Sequence, residues 1–481
     1  MILLITLILL HRYGRRPIRA VIFAVFCIWS SYESICALMQ VAGLSLSRHS
    51  AFAMTGNFIN PGPLGGYLAV SLAVELSYLI KNYKQAKNRK QQILYFIVLI
   101  SATLCFLVLP ATMCRGAWLA LLVSIGTFLL TETGLKDALK KRKHLLPAFL
   151  LLGVVLSASA FFLKKESAIG RLHIWHMELE SIVENPFGSG AGTALGAYGR
   201  AQESFFRKHL GNVPDLIVQV AGCPEYPFNE YLGLGMEFGW AGLIASILVV
   251  LFATMILFRK RSVYAAGLLA WAIFAFSSYP LSVPQSCVQL LFLLSAVVPE
   301  TETAGRWQYI PVILAIFLVV MTFIGKGDMD LRIVDRSSYQ TLYERGYHLY
   351  QQGKHMLSNE VLSQGADVSS DPLFYVIMGR NYEAMGEYDL ALEKYTQAYY
   401  MVPCRIYPLV RIMRLEIAIG NNEQAVNVGQ IILNKALREN NVQMMKLYEE
   451  TAKSVDSLLI SMKSQKKDEL LQVGLNNKQI K

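Results

Sequence analysis

The sequence predicts an all-α protein, a polytopic helical membrane domain followed by a short helical solenoid. Three observations carry that reading. Of 481 residues, 54% are hydrophobic and only 16% charged, and apolar runs recur through the first two thirds of the chain. After Gly325 the composition turns polar while keeping a helical pattern. Within that polar third, Gly353, Gly386 and Gly420 recur at steps of 33 and 34.

A helix needs about 20 mostly apolar residues to cross a bilayer. Nine stretches are candidates: Pro17 to Val41, Leu64 to Ile80, Gln91 to Leu109, Ala117 to Thr133, Leu145 to Leu163, Phe238 to Phe258, Val263 to Tyr279, Ser286 to Val298 and Tyr309 to Ile324. The eighth is the shortest. The opening "MILLITLILL" is only ten residues long, and its basic residues follow it in "HRYGRR" instead of preceding it. That order is wrong for a secretory signal, so the segment reads as the tail of a span. The seven cysteines show no paired spacing, and Cys27, Cys36, Cys105 and Cys287 fall in predicted spans, which argues against a disulfide framework or a zinc site.

The net charge of +11 could suggest nucleic acid, but its distribution reports topology. Short loops rich in Lys and Arg stay in the cytoplasm. "HRYGRR", "KNYKQAKNRK", "KDALKKRK" and Arg259 to Arg261 carry three, five, five and three basic residues, and an even number of predicted spans separates each from the next. The same parity puts Ala42 to Pro63, the turn Pro110 to Gly116, the loop Lys164 to Glu237 and everything after the last span on the other side. From Lys164 to Met236 there are six Lys and Arg against eight Asp and Glu, the opposite balance from the inner loops. A loop this long is usually functional.

The 33- and 34-residue steps match the tetratricopeptide period. The middle copy, "FYVIMGRNYEAMGEYDLALEKYTQAYYMVP", carries Gly379, Tyr382, Gly386, Tyr388, Ala391, Tyr395, Ala398 and Pro403 at the offsets of that repeat. Small residues such as Ala391 let two helices approach while Tyr382 and Tyr395 fill the space around them. The flanking copies keep Gly346 and Gly353, and Gly420 and Ala425, so about three hairpins and a polar helix ending near Leu471 make a short solenoid. The expected division is a membrane domain over 1–326 with its outer loop at about 164–237, a repeat domain over 327–471, and a polar tail over 472–481. The repeats carry no transferase motif. A partner-binding role and a role as stabilising cap or spacer are both open to them, and removing them after Lys326 is expected to leave some activity.

Four outward-facing stretches hold most of the remaining polar signal: "TGNFINPGPLGGYLA", "CRGAWLALL", "GRLHIWHMELESIVENPFGSGAGT" and "PFNEYLGLGMEFGWAGL". Together, and in this order, they resemble the O-antigen ligase and polymerase family of bacterial inner-membrane enzymes from about Glu33 to Tyr279. The resemblance implies a GT-C-like membrane glycosyltransferase that moves a glycan from undecaprenyl diphosphate to a lipid A core sugar, another repeat unit or a related acceptor, without metal, nucleotide or other cofactor. Arg115 and Arg171 match the two family arginines that hold the lipid-linked diphosphate. Asn229 and Glu230 fall in the catalytic motif, and Asn60, Trp175, Gly190 and Tyr231 in substrate-binding ones. The implied partners are the donor, the glycan acceptor, membrane lipids and a protein partner for the repeats, with no nucleic acid.

The residue chemistry supports the arginine assignment independently. Guanidinium offers a fixed fork of donors suited to phosphate oxygens. In glycosyl transfer the diphosphate is also the leaving group, so positive charge beside it stabilises what develops in the transition state. The competing reading is that Arg115 snorkels to lipid head groups. Other motifs stay open. "GSGAGT" from Gly188 to Thr193 could present backbone N–H groups to phosphate or be a flexible turn. His173 and His176 lack a third ligand at convincing spacing, which favours a helix face over a metal site. Glu33 matches a family acidic position and fits either catalysis or structural pairing.

The chain departs from the family at Phe228, where many relatives have a histidine before Asn-Glu-Tyr. Phenylalanine cannot take a proton. Either Glu225, Glu230 or His209 supplies the base, or the reaction relies on positioning and leaving-group stabilisation. A polymerase or a protein glycan transferase would use the same donor chemistry, and the motifs do not separate these from a ligase. A transporter with a repeat adaptor would show internal repeats of spans; none is evident, and the polar residues gather on one face. A structural membrane anchor for the repeats is the remaining alternative.

Overall fold

The structure, a computed structural model, describes residues 16–83, 88–132, 165–297, 336–435 and 442–479. Among them all regular structure is helical. The chain divides into two compact units, Met1–Lys164 with Tyr226–Ile333, and Lys165–Glu225 with Val334–Lys481. The first contains α1 (Arg16–Val41), α2 (Pro61–Asn82), α3 (Arg89–Ala111) and α4 (Arg115–Glu132). Three helices of the long loop, α5 (Lys165–Glu184), α6 (Ala194–His209) and α7 (Asp215–Val220), belong to the second. The chain then returns to the first unit with α8 (Glu230–Arg259), α9 (Tyr264–Ala275) and α10 (Pro284–Ser295).

Helices α1, α2, α3, α4 and α8 are long and apolar enough to cross a membrane, and they correspond to five of the nine expected spans. The expected spans at Val263 to Tyr279 and Ser286 to Val298 are instead the 12-residue helices α9 and α10. At 1.5 Å per residue each is about 18 Å long, short of a hydrocarbon core of about 30 Å. Pro280 starts a short 3-10 turn after α9, and Pro284 opens α10, so neither helix can extend towards the other. The expected spans Leu145 to Leu163 and Tyr309 to Ile324, and the segment "MILLITLILL", lie outside the described residues.

Helix α2 is the core of this unit. Every residue from Pro63 to Glu75 is buried, and α1, α3, α4, α9 and α10 pack around it. Small residues make the close approaches. Gly66 lies against the ring of Phe274, and Gly267 against Val74, with no room for a Cβ at either. The outer faces invert the pattern of a water-soluble protein. Phe96, Phe106, Leu122 and Phe252 point outward, while Ser30, Glu75 and Ser101 are fully buried. Glu75 Oε1 accepts hydrogen bonds from Ser30 of α1 at 2.9 Å and Ser101 of α3 at 2.6 Å, a polar pin joining three helices. An acid in a span is tolerated only when turned into the bundle in this way.

Helix α8 is broken at Gly239, whose φ of 67° and ψ of −161° are non-helical. The break separates the turns carrying "NEYLGLGMEF" from the apolar stretch that follows. Only glycine adopts this backbone without strain.

The second unit continues with α11 (Arg336–Gln351), α12 (His355–Val368), α13 (Leu373–Ala384), α14 (Tyr388–Met401), α15 (Tyr407–Ala418), α16 (Asn422–Leu433) and α17 (Val442–Gln479). Consecutive helices pack on one another throughout. Gly353, Gly386 and Gly420 occupy the turns inside the pairs α11–α12, α13–α14 and α15–α16, with φ of 74°, 81° and 85°. The residue after each glycine bonds back in the same way: Lys354 N to Leu349 O at 3.0 Å, Glu387 N to Tyr382 O at 2.9 Å, and Asn421 N to Glu416 O at 2.8 Å. These are Schellman closures, which need a left-handed residue just beyond the helix. In the middle pair Ala391, Tyr395 and Ala398 are fully buried, and the Tyr395 ring covers Gly379. Helix α17 runs to Gln479, past the expected end near Leu471; its Lys, Gln, Glu and Leu residues are good helix formers.

The long loop was expected to belong with the membrane domain. The structure groups it with the C-terminal helices, because α6 presents small residues to α12 and α14. A Cβ on Gly196 would strike the backbone of Asp367, and one on Gly199 would lie 2.6 Å from Met401 Cε. Arg200 pairs with Asp367 at 3.3 Å, and Gln202 Nε2 donates to the carbonyls of Met401 and Gly222.

Candidate functional site

One end of the first unit gathers several of the residues singled out in the sequence. Asn60 caps α2, its Oδ1 accepting from Gly62 N at 2.9 Å, while its Nδ2 donates to the Tyr279 hydroxyl at 2.8 Å. Tyr279 stacks on Tyr226 with centroids 4.3 Å apart and rings 7° from parallel. Phe228 meets the same tyrosine edge-on, at 5.4 Å and 86°. Asn229 caps α8 by accepting from Tyr231 N at 3.0 Å and Leu232 N at 3.2 Å. Glu230 follows, 5% exposed, with Oε1 accepting from Leu281 N at 2.5 Å. The Tyr231 hydroxyl donates to Ala272 O at 2.9 Å, fastening the start of α8 to α9.

Arg115 opens α4 beside this group. A Cβ on Gly116 would lie 2.6 Å from Ser277 Oγ, and one on Gly65 2.7 Å from both Cys114 Cβ and Thr112 Oγ1. The first turn of α4 is thereby packed against the first turns of α2 and the segment leading into Tyr279. Met113, with φ of 53°, makes the sharp turn that separates α3 from α4. Arg115 itself is half-buried. The result is an arginine, an amide, three aromatic rings and a buried carboxyl at one end of the bundle, a combination suited to a phosphate and a sugar.

The "TGNF" stretch explains Glu33. Its carboxylate accepts from Asn57 N at 3.0 Å and Asn57 Nδ2 at 3.2 Å. Gly56, with φ of 56°, passes so close that a Cβ there would be 3.2 Å from Glu33 Oε2. Gln40 fastens the same loop, accepting from Thr55 N at 2.7 Å and Gly56 N at 2.8 Å. Of the two readings of Glu33, this geometry favours structural pairing.

Arg171, Trp175 and Gly190 belong to the second unit. Arg171 and Trp175 are half-buried residues of α5. Gly190 has φ of 109°, one of three left-handed glycines with Gly188 and Gly192 in "GSGAGT". That identifies the stretch as a turn built on glycine freedom.

His173, His176 and His209 surround the Phe205 ring at centroid distances of 5.8, 5.7 and 5.4 Å, along a cleft of about 500 Å³. His173 is 5% exposed and its Nε2 lies 3.0 Å from Gln202 Oε1, which also accepts from the Tyr198 hydroxyl at 2.6 Å. Burial pushes the His173 imidazole down to about 4, so it is neutral near pH 7 and donates to Gln202. Among the described residues no group of three or more His, Cys, Asp or Glu could hold a metal ion.

Of the three expected bases, Glu230 has one oxygen committed to the turn after α9, His209 lines the cleft of the second unit, and Glu225 is exposed. Sequence reading missed Tyr226 and Tyr279 as members of the group. Tyr226 stands two residues before Phe228, inside the motif region; Tyr279 carried no signal beyond the prolines that follow it.

The O-antigen ligase family matches residues 96–247. The match takes in Arg115, Arg171, Trp175, Gly190, Asn229, Glu230 and Tyr231, and stops short of Asn60 and Tyr279. No curated protein and no solved structure matches the chain.

Proposed function

We propose that the chain is a membrane glycan transferase that moves an O-antigen or related oligosaccharide from undecaprenyl diphosphate to an acceptor such as lipid A core, on the periplasmic face of a bacterial inner membrane. The O-antigen ligase match over residues 96–247 supports a ligase- or polymerase-like transferase, and the five long apolar helices support a multi-pass membrane protein. The observation that carries the reading furthest is Arg115 at the head of α4, beside Asn60, Tyr226, Phe228, Glu230 and Tyr279.

In this reading an acceptor hydroxyl attacks the anomeric carbon of the donor and the bond to the diphosphate breaks. Arg115 and Arg171 each supply charge-assisted hydrogen bonds to the departing diphosphate. The paired rings of Tyr226 and Tyr279 offer a face for a sugar. With phenylalanine at 228 no base stands at the family position, and the departing diphosphate can itself take the hydroxyl proton. Glu230 and Asn229 position the motif, the first through Leu281 and the second as the cap of α8. The C-terminal helix pairs, read as tetratricopeptide repeats, steady the long loop and offer a surface to a protein partner.

The test is transfer by the purified full-length chain, supplied with undecaprenyl-diphosphate-linked oligosaccharide and lipid A core. Analysis of a deletion strain identifies the acceptor. Long lipid-linked chains accumulating without mature lipopolysaccharide mean a ligase, and single repeat units on lipid A core mean a polymerase. Normal glycans of both kinds in that strain, with no transfer by the purified chain, would refute the reading.

A further inference from the structure

Five of the seven cysteines, Cys27, Cys36, Cys105, Cys114 and Cys287, belong to the first unit. The second unit holds the other two, Cys223 and Cys404, one in each of its two chain segments. Cys223 follows α7 in the long loop, and Cys404 lies in the turn between α14 and α15.

Their surroundings interlock. Cys404 Sγ donates to the carbonyl of Ala221, two residues before Cys223, at 3.5 Å. Cys223 Sγ accepts from Nη2 of Arg405, the residue after Cys404, at 3.1 Å. Each thiol is therefore bonded to the chain segment that carries the other. Further bonds hold the same two segments in place. Ser370 Oγ donates to Pro224 O at 2.7 Å, and Arg405 pairs with Asp371 at 3.5 Å. Both cysteines are only half-buried, so an external reagent has access to them.

We infer that Cys223 and Cys404 form a disulfide, a covalent modification site that ties the long loop to the C-terminal helices. A disulfide requires closely approaching segments; the crossed hydrogen bonds join the two segments, and both cysteines are free thiols in the structure, so the bond forms by oxidation. The oxidant is an external disulfide, as carried by a thiol–disulfide oxidoreductase. The thiolate of one cysteine attacks that disulfide, forming a mixed disulfide and releasing one oxidant thiolate. The second cysteine then attacks the mixed disulfide and releases the other. One S–S bond forms in the protein and one breaks in the oxidant; two electrons pass to the oxidant, and its two thiolates take up the two cysteine protons. Such bonds persist in oxidising compartments, so the inference rests on the outer-face location proposed above. The bond would hold the helix that carries Arg171 to the C-terminal helices even when the packing of α6 loosens.

The test uses the full-length protein in its own membrane. Cells are quenched with a permeant maleimide before lysis, and peptides are mapped by mass spectrometry without reductant. The expected result is one joined peptide containing Cys223 and Cys404, two hydrogens lighter than the sum of its parts and separated by dithiothreitol. In Cys223→Ser the Cys404 peptide should instead carry maleimide, and in Cys404→Ser the Cys223 peptide should. Maleimide on both cysteines of the unaltered protein overturns the inference. A parallel strain carries Ser204→Cys in a cysteine-free background and is treated with an impermeant maleimide. If that reagent labels intact cells while Cys223 and Cys404 are both alkylated, the bond is refuted and the outer-face reading stands. If it labels only opened cells, the outer-face reading fails on its own account, and a joined peptide would still support the bond.

Discussion

Asn60 and Tyr279 stand 219 positions apart and meet at 2.8 Å, the asparagine amide donating to the tyrosine hydroxyl. The same asparagine caps α2 through its other side-chain atom. One residue thus sets the start of the core helix and orients the tyrosine on which Tyr226 stacks and against which Phe228 packs. Asn60→Ala should therefore cost about 1–2 kcal/mol, from the lost cap and the lost hydrogen bond. Asn60→Asp should be nearly silent, because a carboxylate still caps the helix and can accept a hydrogen bond from the Tyr279 hydroxyl. Thermal unfolding of both variants in detergent measures the difference; equal losses would mean that the amide has another role.

Arg115→Ala and Arg171→Ala should each abolish most transfer at normal protein level and insertion. Losing a charge-assisted hydrogen bond costs about 1.5–3 kcal/mol, or roughly ten- to more than a hundredfold in rate if fully expressed in the transition state. Lysine should recover little, since it keeps the charge without the fork. Full activity in both lysine variants would support snorkelling and refute a diphosphate contact.

Phe228→His should stay folded, because an imidazole can keep the edge contact with Tyr279. If the site differs from the O-antigen ligase pattern it resembles only in lacking the histidine base, this variant should match or exceed the parent. Its activity should then rise with pH through about 6.5, as the imidazole becomes neutral and able to accept a proton. A flat profile with strong inhibition would show instead that the phenyl ring packs against the acceptor.

His173 predicts a pH window for the second unit. Its imidazole sits at about 4 in the folded chain because burial disfavours the charged form, against about 6.5 when unfolded. Between these values the unfolded state binds more protons, so stability rises with pH. The contribution is complete above about 6.5 and lost as pH falls towards about 4, a difference on the order of 3 kcal/mol. Protease sensitivity of residues 165–225 should increase over that interval, and His173→Gln should flatten the dependence. An unchanged dependence in that variant would point to another group.

The sequence led to the expectation that truncation after Lys326 would leave some activity. The packing of α6 on α12 and α14 predicts a loosened long loop and little transfer instead. Gly196→Ala should reproduce part of this in the full chain, at about 1–3 kcal/mol of overpacking, because its Cβ would strike the backbone of Asp367. Gly211→Ala, with nothing within 4 Å, is the control. Limited proteolysis of the loop reads both, and equal sensitivity would mean that α6 does not depend on this contact.

The sequence by itself determined the features that chemistry imposes locally. Hydrocarbon demands unbroken apolar runs, so α1, α2, α3, α4 and α8 were legible as spans. A left-handed turn favours glycine, so the spacing of Gly353, Gly386 and Gly420 marked three helix pairs. Asn60 and Asn229 were legible as motif residues, although their work as helix caps was not. Tertiary structure decided what depends on contacts distant along the chain. The pairing of Asn60 with Tyr279, the grouping of residues 165–225 with the C-terminal helices, and the crossed bonds of Cys223 and Cys404 leave no periodic trace. Each depends on one side chain meeting a surface that forms only when the helices pack. The breaks after α9 and at Gly239 belong to the same class: apolar composition reads straight through them, and only the backbone reveals where the chain must turn.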